Sequence, residues 1–256
     1  MSHHRRPKPP TLRAVALCIV LAMLTACSAQ PPIAWDPDTS TKVAMLYSPT
    51  TTAGLAGAYD RRYYVPEVQL WSDGRIVWVA ESGMDRQIRE GHLSAEAMEA
   101  LLRRIVDAGF FEWEDRYQTL GGNSMPPMVL QVNLAARTKE VREHGGAPEA
   151  FYELEAHLRE GAGAEGEAYV PDEGYLTLRP FSGSGGEPWP AWASLTPEGV
   201  GEGIYVRGSL LAFAWQLVNW NPTGPTYASH EGKTYHLMVQ VPGVSYFEPP
   251  SPRSNP

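Results

Sequence analysis

Apolar residues recur along this chain with two different periods, and the places where the period changes outline its elements. An unbroken apolar run opens it, from Ala14 to Leu24. Next, Pro66–Ser72 and Arg75–Ala80 alternate with a period of two about Asp73-Gly74. That pattern predicts a β-hairpin with a two-residue turn, because Asp-Gly tolerates the positive φ that both central residues of such a turn require. The turn pairs Ser72 with Arg75, placing Val68, Leu70, Val77 and Val79 on one face and Gln69, Trp71, Ile76 and Trp78 on the other. Neither face is wholly polar, so a second layer or a partner covers the tryptophan side. Met98, Leu101, Leu102, Ile105 and Ala108 then recur at helical spacing, with Ser94 placed to cap the helix and Gly109 to end it. Met128–Leu134 and Lys139–His144 read as two strands joined by Ala135 to Thr138. A second helix starts at Pro148, a residue suited to a first turn, carries Phe151, Leu154 and Leu158 on one stripe, and stops at Gly161.

The remainder is smaller and looser. Gly161 to Glu167 and Ser182 to Gly186 are glycine-rich, and Pro188-Trp189-Pro190-Ala191-Trp192 is irregular. Between and after them come strands at Gly174–Phe181 and Gly203–Val206, a helix over Ser209–Asn221, and a closing hairpin about Glu231-Gly232. This register pairs His230 with Lys233 and Tyr227 with His236. It turns Tyr235, Leu237, Val239 and Val241 to the core and His236, Met238 and Gln240 outward. The helix holds no charged residue, so it should be buried on most sides, wedged between its own sheet and the first unit. Grouped strands and helices predict an α+β fold of antiparallel sheets with helices on one face, in two subdomains. The first runs strands, helix, strands, helix, and the second is a smaller strand, helix and hairpin unit. Expected boundaries are 1–26 for a leader, 27–41 for a tether, 42–162 for the first unit, 163–173 for a linker, 174–248 for the second unit and 249–256 for a Pro-rich tail.

Charge gives the opening run its meaning. Arg5, Arg6, Lys8 and Arg13 precede it without an acid, the layout of a secretory signal. The 13 residues from Ala14 to Ala26 fall short of the roughly 20 that cross a bilayer as a helix. Leu24-Thr25-Ala26-Cys27 closes the run and resembles the lipobox of bacterial lipoproteins. The resemblance implies cleavage before Cys27, acylation of its thiol, and a body anchored outside the cytoplasm. Two or three acyl chains hold firmly, since each buried CH2 contributes about 0.8 kcal/mol. From Pro66 to Leu158, the order of Asp-Gly hairpin, Leu-Ser-x-Glu helix, Ala-Gly-Phe-Phe exit, strand pair and Ala-Pro-Glu helix resembles an uncharacterised domain of bacterial envelope proteins. That family implies no activity and transfers no catalytic residue.

Composition then removes function classes. All 29 acidic residues follow the leader, which takes four of the 21 basic ones, so 17 remain and the mature net charge is −12. Nucleic acid and anionic lipid are disfavoured partners of such a body, since both need clustered Lys or Arg. Of the two cysteines, Cys18 lies in the leader and Cys27 is the acylation site, which leaves no thiol nucleophile, thiolate metal site or disulfide. No Gly-x-Ser-x-Gly occurs, and Gly199-Val-Gly201-Glu-Gly203 precedes a strand rather than the helix N-terminus that cradles phosphate. His92, His144, His157, His230 and His236 form no His-Glu-x-x-His, and neither a metal nor another cofactor is expected.

Two constellations remain. Glu112, Glu114 and Asp115 crowd the exit of the first helix, and a cell-wall or carbohydrate-active hydrolase would need two such acids across a cleft. Trp71, Trp78, Trp189 and Trp192 could instead grip a protein or glycan partner, with Trp215 and Trp220 assigned to the helix core. The expectation is a non-catalytic, lipid-anchored envelope protein with a binding, structural or assembly role. The hydrolase is the alternative, and a carrier with a closed apolar cavity is a third reading.

Overall fold

Strand β1 (Lys42–Tyr47) is short and mostly buried, and it organises the larger sheet by pairing with β2 (Val68–Trp71) on one side and β6 (Met128–Leu134) on the other. The computed structural model describes residues 33–48, 64–82, 85–119, 127–220 and 226–251, so the leader and Cys27 lie outside the described residues. From β2 the sheet continues through β3 (Arg75–Ser82) and β4 (Asp85–His92) to β8 (Gly166–Ala168). From β6 it runs through β7 (Arg137–His144) to β5 (Arg116–Gln118), and only the β5–β7 pairing in this sheet is parallel. Helices α1 (Ala95–Asp107) and α2 (Glu149–Arg159) complete this part. As the pattern predicts, Ser94 caps α1 by accepting from the Ala97 amide at 3.2 Å, and Met98, Leu101, Leu102 and Ile105 are buried. Phe151, Leu154 and Leu158 form the buried stripe of α2.

The second sheet has the order β10 (Glu187–Pro188), β12 (Thr226–His230), β13 (Lys233–Gln240), β9 (Glu173–Phe181) and β11 (Ile204–Arg207). Short helix α3 (Pro197–Val200) and helix α4 (Gly208–Trp220) belong to it. Its hairpin register is the one expected, with His230 opposite Lys233 and Tyr227 opposite His236, and Glu231 and Gly232 both take positive φ. The fold is thus α+β, built on two sheets.

The first hairpin departs from expectation by one residue. Gln69 pairs with Val77 and Leu70 with Ile76, so the loop holds three residues, Ser72-Asp73-Gly74. Only Gly74 has positive φ, at 91°, and its amide donates to Trp71 O at 3.1 Å. Asp73 stays on the ordinary side of φ because its carboxylate accepts from the Arg75 amide at 3.0 Å and from Ser40 Oγ at 2.9 Å. One residue of slip turns a strand over. Val68, Leu70, Ile76 and Trp78 therefore share the face on which α2 packs, and Gln69, Trp71, Val77 and Val79 share the other.

That second face meets the smaller sheet. Trp71, Val77, Val79 and Ile88 join Leu176, Leu211, Trp215, Leu237 and Val239 in one buried cluster. Helix α4 touches β4 as well as β9, β11 and β13, the wedge its uncharged sequence implies. Three expectations are corrected here. The segment 163–173 is no simple linker, since it supplies β8 and the buried Tyr169. Met238 and Gln240, expected to face outward, are buried, because the segment after β13 folds back and Phe247 O accepts from Gln240 Nε2 at 3.2 Å. The tether also ends early. Ala34 O accepts from the Ala135 amide at 3.0 Å, and Thr39 and Thr41 hydroxyls meet Ser72 Oγ at 3.1 and 3.3 Å, so residues from Ala34 onward are docked on the body.

Candidate functional site

The acids singled out by sequence stand where α1 ends. Gly109, at φ 79°, reverses the chain into a 3-10 turn over Phe110–Glu112, which brings the following residues against β7. Phe111, Glu112, Asp115, Arg137, Lys139 and Glu140 are among the residues lining a cleft of about 730 Å³. Glu114 is not among them, and its amide donates to Tyr117 Oη at 3.0 Å. Of the three acids that line the cleft, Glu112 and Asp115 each face a cation. Asp115 lies 3.0 Å from Lys139 Nζ, which also donates to Trp113 O, and Glu112 lies 3.8 Å from Arg137. The Arg137 guanidinium rests over the Phe111 ring at 4.3 Å, held by the ring's negative face. Glu140 accepts from Tyr47 Oη at 3.0 Å and from Arg142 at 3.3 Å, while burial first, and then the hydrogen bonds with Tyr246 and Glu140, push the Tyr47 hydroxyl above its usual range. A glycosidase sets one acid in an apolar surround to keep its proton and a second across from it. Here cations and anions alternate along the wall.

The tryptophans separate sharply. Trp71, Trp78 and Trp189 are buried, at 4%, 4% and 7% exposure, which removes them as surface contacts, whereas Trp192 is 58% exposed. Trp71 and Trp78 go to opposite faces of the larger sheet because of the hairpin slip. Trp189 is pinned inside its loop by its indole N–H, which donates to Leu195 O at 2.8 Å. Phe213 of α4 meets both loop rings edge-on, with centroids 6.0 Å from Trp189 and 6.4 Å from Trp192. Leu195, Leu210, Phe213 and Leu217 are only partly buried, so Trp192 crowns an apolar surface with a fixed base. Sequence reasoning expected α4 to be buried on most sides and did not say which flank stays open, the one that carries Leu210, Phe213 and Leu217. The signal was present: loop and helix both lack charge over Pro188–Pro197 and Gly208–Ser229.

Histidine placement follows the second hairpin, which sends His230 and His236 to opposite faces of their sheet. Among the described residues no three His, Cys, Asp or Glu side chains are grouped to hold a metal ion, and no helix is long and apolar enough to cross a membrane. Compared with protein-family models, curated proteins and solved structures, the chain matches none.

Proposed function

We propose that this is a lipid-anchored protein of the bacterial envelope, acylated at Cys27, which works by contact rather than catalysis. The observation that carries its placement is Leu24-Thr25-Ala26-Cys27 at the end of a basic-then-apolar leader. Trp192 supports the contact role, since an exposed indole on a rigid apolar base loses little entropy when it is covered. The cleft at Glu112 and Asp115 favours the same reading, because its acids are cross-linked to Arg137 and Lys139 and neither sits in an apolar surround.

Expression of the full-length chain in bacteria with an alkynyl fatty acid tests the anchor. The wild type should incorporate the label and Cys27→Ser should not. Equal labelling of the two, or a wild type isolated with residues 1–26 intact, would remove the proposal. For catalysis, the purified protein should release no soluble fragments from isolated cell walls. Release that disappears in a Glu112→Gln, Asp115→Asn variant would establish the hydrolase instead.

A further inference from the structure

We infer that the Trp192 surface is seated on the bilayer that carries the anchor. The inference rests on acylation at Cys27 and names the occupant of the contact surface proposed above. Three observations lead to it. The first is the leash. Because Ala34 is already hydrogen-bonded to the body through Ala135, only Ser28 to Ile33 separate the acylated residue from it. Seven steps of at most about 3.6 Å give a reach near 25 Å. A body on so short a leash can roll against the lipid but cannot leave it.

The second is charge. The mature chain carries a net −12, and a face that brings carboxylates to the lipid is disfavoured, since a charged group there pays a desolvation cost and an acid is repelled by anionic headgroups. Pro188–Pro197 and Gly208–Ser229 contain no Asp, Glu, Lys or Arg, and the two segments pack together through Trp189, Trp192 and Phe213. Glu187 and Glu198 flank the loop, and Glu198 is held back by Lys233 at 3.1 Å and by the Tyr235 hydroxyl.

The third is chemistry. Tryptophan prefers the headgroup level, where its ring is half in hydrocarbon and half in water. Trp192 is followed by partly buried Leu210, Phe213 and Leu217, which deepen the apolar contact without a charge to desolvate. Exposed Tyr152, which donates to Glu143, and exposed Phe181 lack this setting. Phe181 stacks on Tyr227 at 4.6 Å, within a strand row that also holds Arg179 and His236. A zwitterionic phosphatidylcholine surface therefore suits the patch, and a strongly anionic one does not.

The test uses the full-length chain, purified in its acylated form and reconstituted into phosphatidylcholine vesicles. Because Cys27 is acylated and Cys18 is removed, Ser194→Cys supplies the sole thiol for a nitroxide, and Glu153→Cys on α2 provides a control. The label at 194 should be more accessible to oxygen than to a nickel chelate, and the label at 153 should show the reverse. Adding Trp192→Asp should return the 194 label to water while the body stays vesicle-bound. Mass analysis of the amino-terminal peptide reports acylation independently. A peptide without lipid removes the anchor. A lipidated protein whose 194 label stays aqueous in vesicles overturns this inference alone, and protection found only in native envelopes would assign the patch to a protein or glycan.

Discussion

At the scale of residues, the tightest constraint surrounds Trp78. Its indole occupies space that side chains at three glycines would fill: an added Cβ would come within 3.2 Å of the ring at Gly91, 2.8 Å at Gly161 and 2.0 Å at Gly166. Gly166 has no positive φ, so steric room alone demands glycine there. Gly166→Ala should therefore cost about 1–3 kcal/mol in urea unfolding, the usual range for overpacking. Combining it with Trp78→Leu should cost less than the two changes added, and strict additivity would refute the contact. Glu198 makes a second prediction. The hydrogen bond from the Tyr235 hydroxyl, helped by its own backbone and by Lys233, lowers the Glu198 carboxyl from 4.5 to about 2. With a depressed folded-state pKa, its contribution is whole above pH 4.5 and fades as pH falls toward about 2. Glu198→Gln should thus flatten the loss of Tm between those limits, and an unchanged slope would show that the pair is idle. Why Trp192 and not Trp189 reaches solvent could not be read from the sequence. Both belong to the same Pro188–Pro197 loop, and what separates them is one hydrogen bond to Leu195 O plus the position of Phe213, 21 residues beyond Trp192 along the chain.

At the scale of elements, periodicity served where one face is buried and failed where both or neither are. Helices α1 and α2 emerge with their stripes because each has a clear apolar side, whereas the β12–β13 register follows from its Glu231-Gly232 turn, β13 being buried on both faces along most of its length. Strand β2 is buried throughout, so its alternation carries no register, and the turn decided it. The choice fell to whether Asp73 takes positive φ, which its hydrogen bonds from Arg75 and Ser40 prevent. Strand β4, with Ile88 its sole large aliphatic residue, gives no strand pattern, and it is held by its full ladder to β3. The end of α2 is fixed by charge as well as by its stripe. Arg159 bonds Glu67 at 3.0 Å and Glu155 at 3.0 Å, and Glu67 is 6% exposed. Arg159→Ala should cost about 3 kcal/mol, since it removes the cation paired with a buried carboxylate. Adding Glu67→Gln to Arg159→Ala should recover part of the loss in the same denaturation experiment. No recovery would mean the stem of Arg159, not its charge, secures the helix.

At the scale of the whole molecule, the two sheets share one interior. Sequence grouping predicts two subdomains joined by 163–173, yet that segment enters the larger sheet as β8, and Tyr169 beside it meets Trp215 of α4 edge-on at 5.8 Å. Long-range pairing of this kind has no local signature, because β8 is recruited by the backbone of β4 and not by a pattern of its own. Further links cross the same boundary. Trp215 Nε1 donates to Tyr169 O at 2.9 Å, Ile88 N donates to Asn219 Oδ1 at 3.1 Å, and Gln69 Nε2 donates to Val244 O at 2.6 Å. A core common to both sheets leaves neither a stable partner-free state, since separating them would expose Trp71, Val77 and Trp215 together. The protein should therefore unfold in a single transition, with far-ultraviolet circular dichroism and tryptophan fluorescence coincident. Asn219→Ala sharpens the test, because it leaves the buried-side amide of Ile88 without an acceptor at a cost of about 1–3 kcal/mol. If the halves are one cooperative unit, that loss should lower hydrogen-exchange protection equally in β1 and β13, strands from different sheets. Protection lost from the smaller sheet alone, or a biphasic melt, would mean that α4 rests against the larger sheet without stabilising it.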